Sequence, residues 1–212
     1  LFVGSIFGFK TYIQEQNCCP GLTNKLLGKT VDRIFVAYNN MDMFFPKNKI
    51  LNFGNPVRHE LRISNDSRLL DGSYSFFGLC NDKFTILIVG GSLGAEPINL
   101  AVQEHLEALI KDDCQLIWQT GEAQHKDYAH LQSKECSIVK FINRMDLAYA
   151  AADIVISRAG AIAITEISFL EKASILIPSP HVTDNHQFKN AKYLLENDAC
   201  LLIPEADLLS DK

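Results

Sequence analysis

Long apolar segments and targeting signals are what this 212-residue sequence most clearly lacks. No apolar run approaches the roughly 18 to 20 residues that a helix needs to cross a bilayer. Residues 1–20 do not combine a basic region with a small-residue cleavage site, the mark of a secretory signal. We therefore expect neither secretion nor a membrane-spanning helix. The composition, 47% hydrophobic and 21% charged, is instead typical of a globular protein.

An excess of basic side chains is also missing. Lys and Arg total 20 against 25 Asp and Glu, and this net charge of −5 disfavours nucleic acid as the main partner. The charge is uneven, because residues 1–60 hold 7 basic and 4 acidic groups while the remainder is strongly acidic. The basic part carries Phe7, Phe9, Phe44, Phe45 and Lys47, which could contact an anionic membrane surface or form an ordinary solvated face.

The six cysteines show neither a C-x-x-C pair nor the Cys/His spacing of a zinc site. We expect reduced thiols, as in a cytosolic protein. The chain begins with Leu1 and ends at Lys212, soon after a strand-like segment, so we expect a fragment of a longer protein.

The order of predicted elements indicates an α/β fold. Short β-branched, apolar or aromatic runs predict strands at 11–14, 33–38, 49–53, 85–91, 115–120, 137–141, 153–157, 174–178 and 199–203. Helical patterns lie between several of them, at 20–29, 97–110, 161–170 and 185–197. Strands that alternate with helices predict parallel sheets. The polar stretch from Asn55-Pro56 to about Lys83 is interpreted as a linker to a new domain.

A glycine-rich turn follows the fourth predicted strand. The segment GGSLG at 90–94 leads into a helix with Pro97 in its first turn. Glycines let backbone N–H groups approach an anion, and Ser92 adds a hydroxyl. The segment lacks the G-x-G-x-x-G spacing and the Lys of a P-loop. Anion binding and a tight structural turn both remain open for it.

Two further strand ends carry polar residues. After the strand at 153–157, a helix carries Thr165 and Glu166, and that carboxylate could complement the helix dipole or accept hydrogen bonds from a ribose diol. After the strand at 174–178, a polar loop precedes Asp184 and Gln187, whose spacing is that of a capping box but whose position is that of a ligand loop. His181 and His186 are disfavoured as a metal pair, because no further ligand completes a shell.

Several motifs follow one another in a fixed order. They are EQN at 15–17, PGLTNK at 20–25, GNPVR at 54–58, GGSLGA at 90–95, FI at 141–142 before Met145, RAGA at 158–161 with Thr165-Glu166, and HQ at 186–187. Together they resemble the MurG family of bacterial N-acetylglucosaminyltransferases, which convert lipid I to lipid II in peptidoglycan synthesis. The resemblance extends over nearly the whole chain.

The resemblance implies a GT-B fold, in which two Rossmann-like domains with parallel sheets face each other across a cleft. Residues 1–57 would be the end of the N-terminal, acceptor-side and membrane-side domain, which is only partly present. Residues 58–212 would be the domain that binds the donor, UDP-N-acetylglucosamine, and would be incomplete at their end. The implied donor-binding residues are Asn17, Arg58, Ser92, Ile142, Ala161, Ile162, Ala163, Ile164, Thr165, Glu166 and Gln187, with Gly90, Gly91 and Gly94 forming the phosphate loop.

Individual roles follow from the resemblance. Ile142 would contact the uracil through its backbone, Glu166 would hold the ribose hydroxyls, and Ser92 would face the diphosphate. Gln187 and Asn17 would recognise the N-acetylglucosamine, and Arg58 is a further nucleotide-site position. No metal ligand or cofactor is implied, since the nucleotide sugar is a substrate.

The implied reaction is an inverting transfer of N-acetylglucosamine to the 4-hydroxyl of the muramic acid of undecaprenyl-linked lipid I, at the inner leaflet of the cytoplasmic membrane. Lys29 joins residues 44–47 as a candidate for the membrane side. The general base belongs to an N-terminal loop that this sequence does not contain, so no catalytic residue is named and we expect the fragment alone to be inactive. A UDP-N-acetylglucosamine 2-epimerase and a non-catalytic nucleotide-binding module remain as alternatives.

Overall fold

The computed structural model describes residues 1–63 and 67–208, which form two parallel sheets. The first sheet has three strands in the order β1-β2-β3. Its core contains Ile13 and Ile34 from the strands, with Met41 and Phe45 from the turn before β3. The elements of this part are α1 (Phe2–Ile6), β1 (Tyr12–Glu15), α2 (Leu22–Leu27), β2 (Arg33–Val36) and β3 (Ile50–Asn52).

The second sheet has six parallel strands in the order β6-β5-β4-β7-β8-β9. Its elements are α3 (Ser67–Phe77), β4 (Phe84–Val89), α4 (Glu96–Glu104), α5 (Leu106–Leu109), β5 (Cys114–Gln119), α6 (His125–Tyr128), β6 (Cys136–Val139), α7 (Met145–Ala151), β7 (Ile154–Ser157), α8 (Ala161–Phe169), β8 (Ala173–Leu176), α9 (His186–Leu195) and β9 (Leu201–Leu202). This is the doubly wound order: β5 and β6 are added on one side of β4, and β7, β8 and β9 on the other, so the strand order reverses between β4 and β7. The loops after β4 and β7 therefore flank a crevice where ligands of such sheets bind.

Short 3-10 helices complete the described backbone. They span Met41–Met43, Lys47–Lys49, His59–Ile63, Ala129–Leu131, Thr183–Asn185 and Glu205–Asp207.

Both faces of the second sheet are covered by apolar side chains. Along β4, Leu87 belongs to the cluster with α7 and α8, whereas Ile86 and Ile88 belong to the cluster with α4. Strands buried on both faces show continuous apolar runs, as this one does. The fold is thus the predicted α/β class with parallel sheets, and all nine predicted strands are confirmed within a few residues at their ends.

Two predictions about the connecting segments were wrong. The stretch interpreted as a linker contains α3, which packs against α7 and buries Ser73 and Phe77. Residues 64–66 of that stretch, like 209–212, lie outside the described residues. The helix predicted at 97–110 is interrupted at His105, whose ψ of 13° ends α4 before α5 begins.

Candidate functional site

The glycine loop after β4 depends on glycine at one position above all. Gly94 has φ +80°, and a Cβ there would lie 2.2 Å from the Thr120 carbonyl oxygen at the end of β5. Gly91 has φ +94° but open space around it, and its carbonyl accepts the Gly94 N–H at 3.0 Å. The loop, which ends where α4 begins at Glu96, therefore packs tightly against the turn that follows β5.

A cavity of about 450 Å³ opens above this loop. The described residues that line it come from the loops after β4, β7 and β8, from the first turns of α4 and α9, and from the segment after β9: Gly90, Gly91, Ser92, Leu93, Gly94, Ala95, Glu96, Pro97, Arg158, Ser179, His181, Gln187 and Glu205. The structure thus brings Ser92, the three predicted loop glycines and Gln187 to one site. Its position is the carboxyl edge of the sheet at the reversal of strand order.

Arg158 is the cation of this cavity. Its side chain is 12% exposed, forms an ion pair with Glu205, and donates to the Ile177 carbonyl at 3.2 Å. The guanidinium therefore joins the end of β8 to the segment after β9. Because Glu205 lines the same cavity, its carboxylate offsets the charge that the guanidinium offers to a ligand.

Gln187 does not complete a capping box, so that alternative was wrong. Its Oε1 accepts the Ser179 N–H at 2.9 Å across the cavity rim. α9 begins at His186 after Asn185, which has φ 52° and makes no side-chain cap. The His186 ring contacts the Thr183 carbonyl at 2.8 Å, while His181 faces the cavity. Within residues 1–63 and 67–208, no three His, Cys, Asp or Glu side chains are grouped to hold a metal.

Glu166 lies in the second turn of α8 and is 2% exposed. Its Oε1 lies 3.0 Å from Arg58 Nε, and its Oε2 accepts the Tyr149 hydroxyl at 3.4 Å. Burial raises the pKa of Glu166 above its ordinary value, although Arg58 and Tyr149 oppose that shift. With these partners and outside the first turn, the carboxylate is not a helix-dipole residue. The Arg58 side chain in this pair is half exposed.

The other predicted residues of α8 lie along its first turns. Ala161, Ile162 and Ala163 are half-buried, and Ile164 is buried in the core. Thr165 Oγ1 donates to the Ala161 carbonyl at 2.8 Å and accepts Asn55 Nδ2 at 3.1 Å. Asn55 also donates to the Gln16 carbonyl, so it connects α8 with the loop after β1.

Asn17 is held between the two sheets. Its Nδ2 donates to Glu15 Oε1 at 3.1 Å, and its Oδ1 accepts Asn190 Nδ2 at 3.0 Å. Asn190, fully buried on α9, also accepts the Cys18 N–H at 3.1 Å. Burial, with Cys19 adding to the effect, raises the pKa of the Cys18 thiol to about 12, so this thiol stays protonated. All six cysteines are free.

The predicted uracil position, Ile142, is buried just after β6. Its N–H donates to Gln119 Oε1 at 2.8 Å. Among the described residues, Asn17, Arg58, Ile142 and Glu166 do not line the cavity that contains Ser92 and Gln187.

Sequence reasoning missed Gln119, Asn190 and Tyr149, which contact predicted site residues. The available signal was their polarity within apolar segments: Gln119 ends the buried run LIW, and Asn190 follows Phe188 on an amphipathic helix. A buried polar side chain requires a partner. The pattern does not say which partner it has.

One of the residues predicted to face a membrane, Phe45, was assigned wrongly. Phe45 is 3% exposed and belongs to the core of the first sheet, so it does not face a membrane. Phe7, Phe9 and Phe44 are exposed, at 75%, 70% and 37%. In the described parts of the chain, no helix has the length and apolar character to span a bilayer.

Comparisons with known proteins identify relatives of this chain. The profile of the glycosyltransferase family 28 C-terminal domain matches residues 85–212. A protein of Flavobacterium psychrophilum named UDP-N-acetylglucosamine–N-acetylmuramyl-(pentapeptide) pyrophosphoryl-undecaprenol N-acetylglucosamine transferase is 47% identical over the whole chain. The Parabacteroides distasonis protein of the same name is 45% identical over the whole chain. The chain spans 57% and 58% of these two relatives.

Solved structures give the same picture. The crystal structure of MurG from Acinetobacter baumannii matches with a TM-score of 0.68 and 29% identity, over 97% of this chain and 56% of that one. The glycosyltransferase of kitacinnamycin matches with a TM-score of 0.58 and 16% identity, over 83% of this chain and 43% of its own. The second match concerns the fold alone.

Proposed function

Because the chain belongs to glycosyltransferase family 28, whose C-terminal domain it contains, we propose that it is part of a MurG-type transferase. The proposed reaction moves N-acetylglucosamine from UDP-N-acetylglucosamine to the 4-hydroxyl of the muramic acid of lipid I, giving lipid II. The names of the relatives that are 45% and 47% identical support this assignment. We place the boundary between the acceptor-side and donor-side domains after residue 57.

The observation that carries the proposal is the cavity at the carboxyl edge of the second sheet. A glycine loop, the start of α4, the Ser92 hydroxyl and the Arg158 guanidinium face one space of about 450 Å³. Backbone N–H groups and a helix N-terminus suit a diphosphate, and Arg158 shares its guanidinium charge with Glu205 in the same cavity. Gln187 lines the same space and offers an amide to the sugar hydroxyls.

We assign the nucleoside half of the donor to residues outside the lining of this cavity. Glu166 accepts the ribose hydroxyls in the proposal, exchanging part of its contact with the half-exposed Arg58 for the ligand. Ile142 contacts the uracil through its backbone. Asn17 reaches the sugar from the first sheet, from a loop that α9 already holds through Asn190.

The proposed chemistry is a direct displacement. The acceptor hydroxyl attacks the anomeric carbon, the bond to the β-phosphate breaks, and UDP leaves with the bonding electron pair. Negative charge grows on the diphosphate as this bond breaks, so N–H donors fixed around it stabilise the transition state more than the ground state. The proton of the acceptor hydroxyl passes to a general base that we do not assign within this chain.

Calorimetric titration of the chain with UDP-N-acetylglucosamine tests the donor site. We expect saturable binding of this nucleotide sugar and none of NADH. Glu166→Ala should weaken the binding at least about tenfold, because it removes a charged acceptor of hydrogen bonds worth about 1.5–3 kcal/mol each. Glu104→Ala, on the exposed side of α4, is the matched control and should leave the affinity unchanged. Equal affinities of the two variants would contradict the ribose assignment, and binding of NADH would contradict the donor assignment.

We also propose that the first sheet faces the inner leaflet of the cytoplasmic membrane, where a lipid-linked acceptor resides. Leu22, Lys25, Leu26 and Lys29 recur at helical spacing along α2 and its end, and all four are exposed. Lys25 Nζ lies 5.5 Å from the centre of the Phe44 ring, which joins this face to the turn before β3. Exposed apolar side chains flanked by lysines suit a surface of anionic lipid.

Co-sedimentation with phosphatidylglycerol vesicles tests this surface. A basic residue near anionic lipid is worth about 1 kcal/mol of binding free energy. The charge reversal in Lys29→Glu should therefore lower the vesicle partition coefficient roughly tenfold or more relative to the parent chain. Lys126→Glu, exposed on α6 beside the second sheet, carries the same charge change and should bind like the parent chain. Equal loss in both variants would show a net-charge effect and would remove the surface assignment.

A further inference from the structure

Gln119 occupies an unusual place for a polar side chain. It is the last residue of β5, is 2% exposed, and pairs in register with Val89 of β4 and Val139 of β6. A buried amide at this position is tolerated only when its donor and its acceptor are both satisfied.

Both ends of the Gln119 amide bond to backbone groups of the loops on either side. Nε2 donates to the Gly91 carbonyl at 2.8 Å, and Oε1 accepts the Ile142 N–H at 2.8 Å. Gly91 belongs to the loop after β4, and Ile142 follows β6. One side chain therefore links two segments that are separated along the backbone by every element from α4 to β6.

The two segments have different roles in the proposed donor site. The Gly91 loop lines the cavity assigned to the diphosphate, whereas Ile142 is assigned to the uracil. The distance between phosphate and base is set by the nucleotide, so the two parts of the protein must keep a matching separation. Preorganisation of this kind reduces the ordering cost of binding.

We propose that Gln119 is a positioning residue for the nucleotide, whose amide sets the phosphate loop and the uracil-facing backbone at a fixed separation. This inference rests on the proposed donor site and adds to it a residue that touches neither phosphate nor base. A uridine diphosphate is the ligand class to which this spacing applies.

The variant Gln119→Glu separates the two bonds. A carboxylate still accepts the Ile142 N–H but cannot donate to the Gly91 carbonyl, which it repels. We expect UDP to bind at least about tenfold more weakly than to the parent chain near pH 8. Near pH 5.5 the buried carboxyl takes up a proton and can donate again, because burial next to a carbonyl favours its neutral form. The dissociation constant of UDP for Gln119→Glu, divided by that for the parent chain, should therefore decrease as the pH falls.

Gln115→Glu is the matched control. Gln115 lies on the same strand, is fully buried, and also bonds to backbone through both ends of its amide. Nε2 donates to the Cys80 carbonyl at 2.6 Å and to Thr85 Oγ1 at 2.9 Å, and Oε1 accepts the Cys80 N–H at 3.0 Å, so its backbone bonds hold a single residue and not two loops. It lies at the opposite end of β5 from the cavity. We expect this variant to lose thermal stability, more near pH 8 than near pH 5.5. We expect its affinity for UDP to equal that of the parent chain.

The outcomes are distinct. A pH-dependent loss of UDP affinity in Gln119→Glu alone supports the positioning role. Equal affinities of the two variants, or an affinity ratio for Gln119→Glu that does not change with pH, would overturn it while leaving the donor site intact. Failure of the parent chain to bind UDP would overturn the donor site and this inference together. If Gln119→Glu does not fold, Gln119→Met removes both bonds without a charge, and its affinity should fall about tenfold at either pH.

Discussion

The substitution Gly94→Ala tests the close packing of the phosphate loop against β5. A methyl group at this position would lie 2.2 Å from the Thr120 carbonyl oxygen and 3.1 Å from Gly121 Cα, and the φ of +80° disfavours any side chain. A left-handed conformation costs an alanine about 1–2 kcal/mol, and overpacking adds typically about 1–3 kcal/mol. We therefore expect the free energy of unfolding to fall by about 2–5 kcal/mol.

Gly91→Ala provides the comparison, because Gly91 has a similar φ of +94° but nothing within 4 Å of its missing Cβ. It should show the conformational cost alone, about 1–2 kcal/mol. Urea unfolding, followed by circular dichroism, measures both variants at a common slope. If Gly94→Ala is no less stable than Gly91→Ala, the contact with Thr120 does not constrain the loop and the reasoning fails.

Two more substitutions test contacts described above. Asp146→Asn removes a bidentate pair with Arg144, whose hydrogen bonds lower the pKa of the Asp146 carboxyl. A carboxyl whose pKa is lowered by folding stabilises the protein above its unfolded-state pKa, and this stability is lost as the pH falls. Urea unfolding should therefore show that Asp146→Asn lowers the free energy of unfolding by about 1 kcal/mol at pH 7 and not in acid. A decrease that is independent of pH would contradict this. Asn190→Ala removes the two bonds that join α9 to the Asn17 loop and should cost about 2 kcal/mol in the same assay. Asn197→Ala, two residues beyond the end of α9, removes only an exposed bond to the Tyr193 carbonyl. It should change stability by less than about 0.5 kcal/mol, and equal costs would refute the role of Asn190.

The strands could be predicted because their sequences are locally consistent. β-branched and apolar runs such as TILIV in β4 form strands in almost any context that buries both faces. α7 could not be found in this way, since Met145, Leu147, Ala148, Tyr149 and Ala151 are all buried and leave no amphipathic period. α3 was hidden by its serines and Gly72, which disfavour a helix until α7 packs against it.

Some residues of the candidate site could likewise be predicted from local sequence, whereas the contacts of others could not. A glycine loop after a strand has a local signal, and the structure places Ser92 and Gln187 beside it. The contacts of Glu166 and Ile142 depend on residues that are far apart in sequence, Arg58 and Gln119. Such partners are fixed by strand order and register. A single sequence does not contain that information in local form.

The order of strands in the second sheet also bears on how the chain folds. The first half, β4 to β6, can pair while the rest is still being synthesised, and it contains the glycine loop. β7 must then join β4 across a long separation, as the Thr85 N–H bond to Asp153, 68 positions later, illustrates. Contacts so distant in sequence are slow to form because loop closure costs entropy first. Until β7 docks, β4 exposes an unpaired apolar edge, and the nascent chain is open to misassembly during that interval.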